Sequence, residues 1–134
     1  IVFLDIDHFK AINDRHGHET GDRVLQQLAA RLRGIIRETD LLFRWGGEEF
    51  VILMPHTGPG EAPALGERIR IAVAERPFAA SDSHHEVVVT VSLGVAGTAE
   101  WPIDPDALLG RADAACYRAK EGGRNRVESE TATT

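Results

Sequence analysis

Asp5 and Asp7 close an apolar run that opens with Ile1-Val2-Phe3-Leu4, and Glu48-Glu49 follow Gly46-Gly47 between two strand-like runs. If that hairpin packs beside the first strand, three or four carboxylates converge. Hard divalent cations take such oxygen ligands, and Mg²⁺ uses one or two carboxylates together with phosphate oxygens. The carbonyl of Ile6 is placed to help. Asp-x-Asp also reads as a strand end wetted by acids, and charged residues at tight turns are ordinary. The paired glycines distinguish this turn, because they let a ligand or another backbone come close.

A second group lies in Lys120-Glu-Gly-Gly-Arg124-Asn-Arg126, where cations flank two glycines at a helix end. Such a stretch can cradle phosphates through point charges, or cap a helix with cations near its negative end. Asn13 and Asp22 bracket Gly17-His18-Glu19-Thr20-Gly21. Asp22 can serve as a helix N-cap. An Asp with an Asn also suits guanine: the carboxylate accepts from N1 and N2, and the amide serves O6 or a neighbouring edge atom. The formal net charge of −6 argues against a nucleic-acid backbone as main partner. A small phosphate ligand needs only a few local cations or a metal.

The elements that must carry these residues follow from periodicity. Residues 1–7 read as a buried strand. Phe9, Ile12 and His16 mark a short helix closed by Gly17, and Asp22 opens a second helix ending near Thr39. Strands are expected over Leu41–Trp45 and Glu49–Met54, joined by the Gly-Gly turn. A third helix carries Leu65, Ile69, Ala72 and Val73 and ends before Pro77. A long alternating strand runs from Val87 to Val95, and a short strand near Phe78 can pair with its beginning. Pro105 starts the last helix, which Gly122-Gly123 stops, and Asn125 to Glu128 form an edge strand. Interleaved strands and helices with a hairpin in the middle predict an α/β sandwich: a ferredoxin-like, palm-type mixed sheet flanked by helices.

With 134 residues and 43% apolar composition, the chain has the material for one core, and one domain is expected. Its lone Cys116 cannot form an internal disulfide and reads as a small buried hydrophobe. No signal peptide or apolar run of membrane-spanning length is present, so a cytoplasmic segment without membrane contact is expected.

Five motifs in order resemble one family. Phe3-Leu-Asp5-Ile-Asp7-His-Phe9-Lys10-x-x-Asn13-Asp, Gly17-His18-x-x-Gly21-Asp22, Arg44-Trp-Gly46-Gly47-Glu48-Glu49-Phe50, Ser92-x-Gly94-Val-Ala and Ala112-Asp113-x-Ala-x-Tyr117-x-Ala-Lys120-x-x-Gly123-Arg124-Asn125 are similar to the GGDEF family of diguanylate cyclases, in its GGEEF form. The resemblance runs from residue 2 to about 127. It implies a GGDEF domain over 1–128 that lacks the family's usual N-terminal helical segment, with residues 129–134 as a disordered tail.

The resemblance further implies Mg²⁺ (or Mn²⁺) at Asp5, Glu48 and the Ile6 carbonyl, with Glu49 close by. Asn13 and Asp22 would read guanine. Lys120 and Arg124, with the backbone amides near His8 and Phe9, would bind the β- and γ-phosphates of GTP. Lys10 and Arg44 would balance charge during the reaction, and Asp7 would be structural or metal-binding. Arg37-Glu-Thr-Asp40 resembles the family's inhibitory RxxD motif, which with Arg68 would bind cyclic di-GMP as feedback inhibitor; its bland reading is a helix-end ion pair. One domain offers one GTP half-site, so catalysis would need a homodimer, controlled by an upstream sensor or regulatory domain. The alternative is a weakly catalytic domain that serves as a cyclic di-GMP or GTP binding module.

Overall fold

Val2–Ile6 form β1, buried along its whole length. A strand of this kind needs cover on both faces and belongs at the centre of a sheet. The computed structural model, which describes residues 1–82 and 84–130, puts it there. The chain continues through α1 (Phe9–His16), α2 (His18–Ile35), β2 (Leu41–Arg44), β3 (Glu49–Leu53), α3 (Ala62–Glu75), β4 (Phe78–Ala79), β5 (Glu86–Val87), β6 (Val91–Val95), α4 (Pro105–Glu121) and β7 (Arg126–Ser129). The main sheet has the order β2-β3-β1-β6-β7. Its pairs are antiparallel except β6 with β7, so the sheet is mixed, as expected.

The period of two along β1 sorts its side chains between two cores. Val2, Leu4 and Ile6 join Leu28 and Leu32 of α2 and Ile69 and Val73 of α3. Phe3 joins Val51 with Leu108, Ala112 and Cys116 of α4. Asp5 shares the parity of Phe3 and therefore faces α4. Cys116 is buried, its thiol donates to the Ser92 carbonyl at 3.4 Å, and burial pushes its pKa up to about 12. It is packing, not a nucleophile.

Four boundaries differ from expectation. Helix α2 begins at His18, so Asp22 lies inside it and caps nothing. Gly17, at φ 87°, ends α1 and starts α2. Helix α2 stops at Ile35 rather than near Thr39, because Arg37 to Asp40 form their own turn. In it the Asp40 N–H donates to the Arg37 carbonyl, and the Arg37 N–H donates to Asp40 Oδ2. The long strand from Val87 to Val95 is broken into β5 and β6. Val87, Val89 and Val91 all stay in one core, but β5 pairs with β4 outside the main sheet. Alternation reports which face is buried, not which strand lies alongside. Finally, Ser129 belongs to β7, and Glu130 donates its N–H to Val95 O and meets Arg111 at 3.1 Å. These two residues of the expected tail are tied to the sheet; 131–134 lie outside the described residues.

Helix α4 sits unusually close to β6. A Cβ built on Gly94 would collide with the Ala112 carbonyl oxygen and the Cys116 backbone nitrogen. Backbone cannot swing aside as a side chain can, so Gly94→Ala is expected to destabilise the fold by about 3 kcal/mol or more. Urea unfolding would measure this, and an unchanged midpoint would contradict so close a seat. That seat matters because α4 carries Lys120 to the end of β1. No helix among the described residues is long and apolar enough to cross a membrane.

Candidate active site

The C-terminal end of β1 is where the expected residues meet. Asp5 stands opposite Glu49 of β3 and Ser92 of β6 in the sheet register. The Ile6 N–H donates to the Glu48 carbonyl at 3.1 Å, which fastens the hairpin to β1. His8 then turns left-handed, at φ 55°, and leads into α1. A cavity of about 180 Å³ opens there, lined by Asp5, Ile6, Asp7, His8, Phe9, Lys10, Glu48, Lys120 and Arg124. Strand, hairpin, helix start and the end of α4 all contribute.

The hairpin is shaped by its own side chains. The Arg44 guanidinium donates to the carbonyls of Gly46, at 3.3 Å, and Gly47, at 2.8 Å. Trp45 and Gly46 both donate their N–H to the Glu49 carbonyl. A Cβ on Gly46 would collide with Glu49 Oε1, whereas one on Gly47 would meet nothing within 4 Å. The Glu49 carboxylate is the free end of a side chain and can swing aside, so Gly46 sets where that carboxylate sits, and Gly47 leaves open space.

Asp5 is buried and accepts from Lys120 Nζ at 2.5 Å. Burial raises the Asp5 carboxyl above its ordinary range, even against Lys120. Glu48 is raised by burial and then by the charge of Asp5; Glu49 is raised for the same two reasons. Burial would lower Lys120, but the hydrogen bond and charge of Asp5 overcome it and raise its pKa.

These acids therefore strain the folded state once ionised. A carboxyl with a raised folded pKa keeps its proton longer in the folded chain than in the unfolded one. Stability then falls as pH rises through the interval between the two values. Glu48→Gln removes that penalty and is expected to raise the thermal midpoint at pH 7, with the gain shrinking toward pH 4. Melting both proteins across that range would measure it; a lower midpoint at pH 7 would contradict the repulsion.

Asp5, Glu48 and Glu49 come close enough for their charges to be felt by one another, but not as a closed metal cage. Among the described residues, no group of three or more His, Cys, Asp or Glu side chains could hold a metal. Asp7 borders the cavity but is held from the other side: it accepts from Thr90 Oγ1 at 2.7 Å, Ser92 Oγ at 2.6 Å and the Asn125 N–H at 2.9 Å. Three of its roughly four acceptor sites thus go to structure. Two mutually repelling carboxylates, Asp5 and Glu48, remain beside the Ile6 carbonyl. That donor set is too sparse for a closed cage but fits a hard divalent cation that completes its shell with phosphate oxygens and water.

Asp22 lines a second cavity of about 460 Å³ with Gln26, Ala29 and Arg33 of α2 and Leu42, Arg44 and Phe50 of the hairpin. Arg44 therefore borders the Asp22 cavity rather than the one at β1. Asn13 packs on Gly21, where a Cβ would collide with Asn13 Oδ1, and that oxygen is buried without a partner. Gln26 and Arg33 were missed from sequence. Their signal was the helical spacing 22, 26, 29, 33, which places all four on one face.

Of the RxxD group, Arg37 is exposed and Asp40 buried, with Asp40 Oδ1 lacking a hydrogen-bond partner. Arg68 is exposed on α3 and makes no hydrogen bond or ion pair among the described residues.

Comparison with known proteins gives a consistent result. The family pattern described as "Diguanylate cyclase, GGDEF domain" matches residues 1–126. The chain is 46% identical over 131 residues to the response regulator PleD of Caulobacter vibrioides, covering 98% of this chain and 29% of that protein. It is 46% identical over 127 residues to diguanylate cyclase DgcM of Escherichia coli, covering 95% and 30%. Among solved structures, the GGDEF domain of DgcB from Caulobacter crescentus in complex with c-di-GMP superposes with a TM-score of 0.86 at 33% identity, covering 96% of this chain and 75% of that one. The chain thus spans about three-tenths of the length of these two curated relatives.

Proposed function

Because the chain belongs to the GGDEF domain family of diguanylate cyclases, we propose that it condenses two GTP into cyclic di-GMP with release of pyrophosphate. The observation that carries this reading is the cavity at the end of β1, where Asp5, Asp7 and Glu48 share one small space with Lys10, Lys120 and Arg124.

The 3′-hydroxyl of one GTP attacks the α-phosphorus of the other, pyrophosphate leaves, and the reaction repeats with the roles exchanged. Asp5, Glu48 and the Ile6 carbonyl hold Mg²⁺ or Mn²⁺, which when bound supplies charge neutralisation at phosphate oxygens. Lys120 and Arg124 bind the β- and γ-phosphates, and the backbone amides at His8 and Phe9 add donors. Incoming phosphates compete with Asp5 for Lys120, so substrate binding loosens the 2.5 Å ion pair and frees the Asp5 carboxylate. Glu48, its pKa already raised, accepts the proton of the attacking hydroxyl. Lys10 borders the same cavity and balances charge there, while Arg44 acts from the hairpin. Asn13 and Asp22 read guanine.

One chain offers one half-site, so two chains must face each other as a homodimer. An upstream sensor or regulatory domain, joined through a helical segment to this domain, would set that approach. Cyclic di-GMP, seen bound to the related DgcB domain, would act back through Arg37, Asp40 and Arg68, where an arginine fork can grip guanine O6 and N7. Asp40 accepts from the Arg37 backbone N–H rather than from its guanidinium, which leaves the Arg37 side chain exposed. The binding-module alternative gains nothing from the site, since these acids and cations are present. Turnover of GTP with Mg²⁺, on the chain alone and fused to a dimeric coiled coil, tests the proposal. Cyclic di-GMP should form, and faster in the fusion; none from either protein would overturn it.

A further inference from the structure

The loop carrying Arg124 has a backbone its residues would not adopt unaided. Gly123, Arg124 and Asn125 have φ of 119°, 64° and 45°. Asn tolerates the left-handed region, but Arg does not favour it, and such a conformation persists only where its surroundings over-determine it.

Asn125 is where that constraint comes from. Its N–H donates to Asp7 Oδ2 at 2.9 Å, and Asp7 is itself buried and held by Thr90 and Ser92. Its side-chain Oδ1 accepts from Arg70 Nη1 of α3 at 3.1 Å. Arg70 is oriented in turn by a two-point pair with Glu67, one turn earlier. Taken alone, the Arg70–Glu67 pair would be an exposed helical ion pair of little consequence. Its third nitrogen changes that, because it reaches a residue 55 positions away and adjacent to Arg124. Arg124 lines the cavity at β1; Asn125 and Arg70 do not.

We infer that Asn125, clamped between Asp7 and Arg70, is a positioning residue that aims Arg124 at the terminal phosphates of the nucleotide, with Glu67–Arg70 as its outer brace. This rests on the GTP reading above. It assigns Arg70 a role in triphosphate recognition without contact, and it makes Asp7 the anchor of the phosphate loop rather than a metal ligand. Because the clamp acts only through Arg124, it bears on the phosphate end of the substrate and leaves the guanine end alone.

Two measurements on the 134-residue chain test it. The first is hydrogen exchange at the Asn125 amide, which needs no nucleotide; Arg70→Gln should speed it about tenfold while α3 amides keep their protection. The second is calorimetry with a non-hydrolysable GTP analogue and with GMP. Arg70→Gln should weaken the analogue about tenfold and GMP not at all. Arg124→Ala should do the same, and the double variant should lose no more than Arg124→Ala alone. Arg70→Lys, which can make one of the bonds, should fall in between. Unchanged exchange at Asn125, equal losses for GMP and analogue, or additive losses in the double variant would each overturn the clamp. If the wild-type chain binds neither nucleotide, the GTP reading fails instead, and the exchange measurement alone decides whether Arg70 holds the loop.

Discussion

Glu48→Ala is expected to reduce cyclic di-GMP formation by about 10³-fold or more, in a protein that folds at least as well as the wild type. The size follows from two losses at one position: a proton acceptor, commonly contributing 10²–10⁴-fold, and a ligand for the cation that neutralises the phosphates. The intact fold follows from the site. The Glu48 side chain makes no hydrogen bond or ion pair among the described residues, and its backbone carbonyl, which holds Ile6, survives the substitution. Turnover would be followed by product formation under saturating GTP and Mg²⁺, on the coiled-coil fusion so that dimerisation is not limiting. Near-normal turnover would remove Glu48 from the chemistry and leave Asp5 and Lys120 to account for the cavity. Glu48→Gln separates the two losses: it keeps one oxygen ligand but cannot take the proton, so its activity should lie between alanine and wild type only if metal binding is the larger part.

The second large effect concerns the base. Asp22→Ala is expected to erase most of the preference for GTP over ATP, which in a site built on paired hydrogen bonds can reach ~10⁴. The expectation is sharper with the structure in hand. As an N-cap, Asp22 would have given a variant that both melts lower and fails to bind. Inside α2, exposed to solvent, it lines a cavity and holds no helix end. Alanine is the better helix former there, so the variant should melt no lower than wild type while its selectivity collapses. Competition of ATP against GTP for binding would decide it. A wild-type chain that binds both equally would end the guanine reading of this cavity, whatever the variant does.

Much of this molecule was legible in the amino-acid order. The run Ile1 to Leu4, continued by Ile6, reads as an interior strand, with Asp5 the one polar residue between Val2 and Ile6. The stripe Leu25, Leu28, Leu32 could only be the inner face of a helix. Gly46-Gly47 between two apolar runs could only be a turn, and Glu48-Glu49 directly after it were bound to lie near a strand tip. These are local facts, set by periods of 2 and 3.6 and by glycine, and they need no partner to be read. The five ordered motifs then carried the family and the short list of site residues.

The tertiary structure decided whom each residue meets. Asp5 and Asp7 are two positions apart and chemically alike, yet one pairs with Lys120 in the cavity at β1 and the other is held by Thr90, Ser92 and Asn125. Both border that cavity, and only their partners separate them, which no local pattern reveals because those partners lie 83 to 118 residues away along the chain. The same holds for the strand that breaks at Val88 to Thr90, for Asp22 moving from helix cap to cavity wall, and for Arg70 reaching Asn125. A hydrophobic period records that a face is buried; which side chain arrives opposite it depends on sheet register and helix placement, and these are fixed only when the layers close on one another.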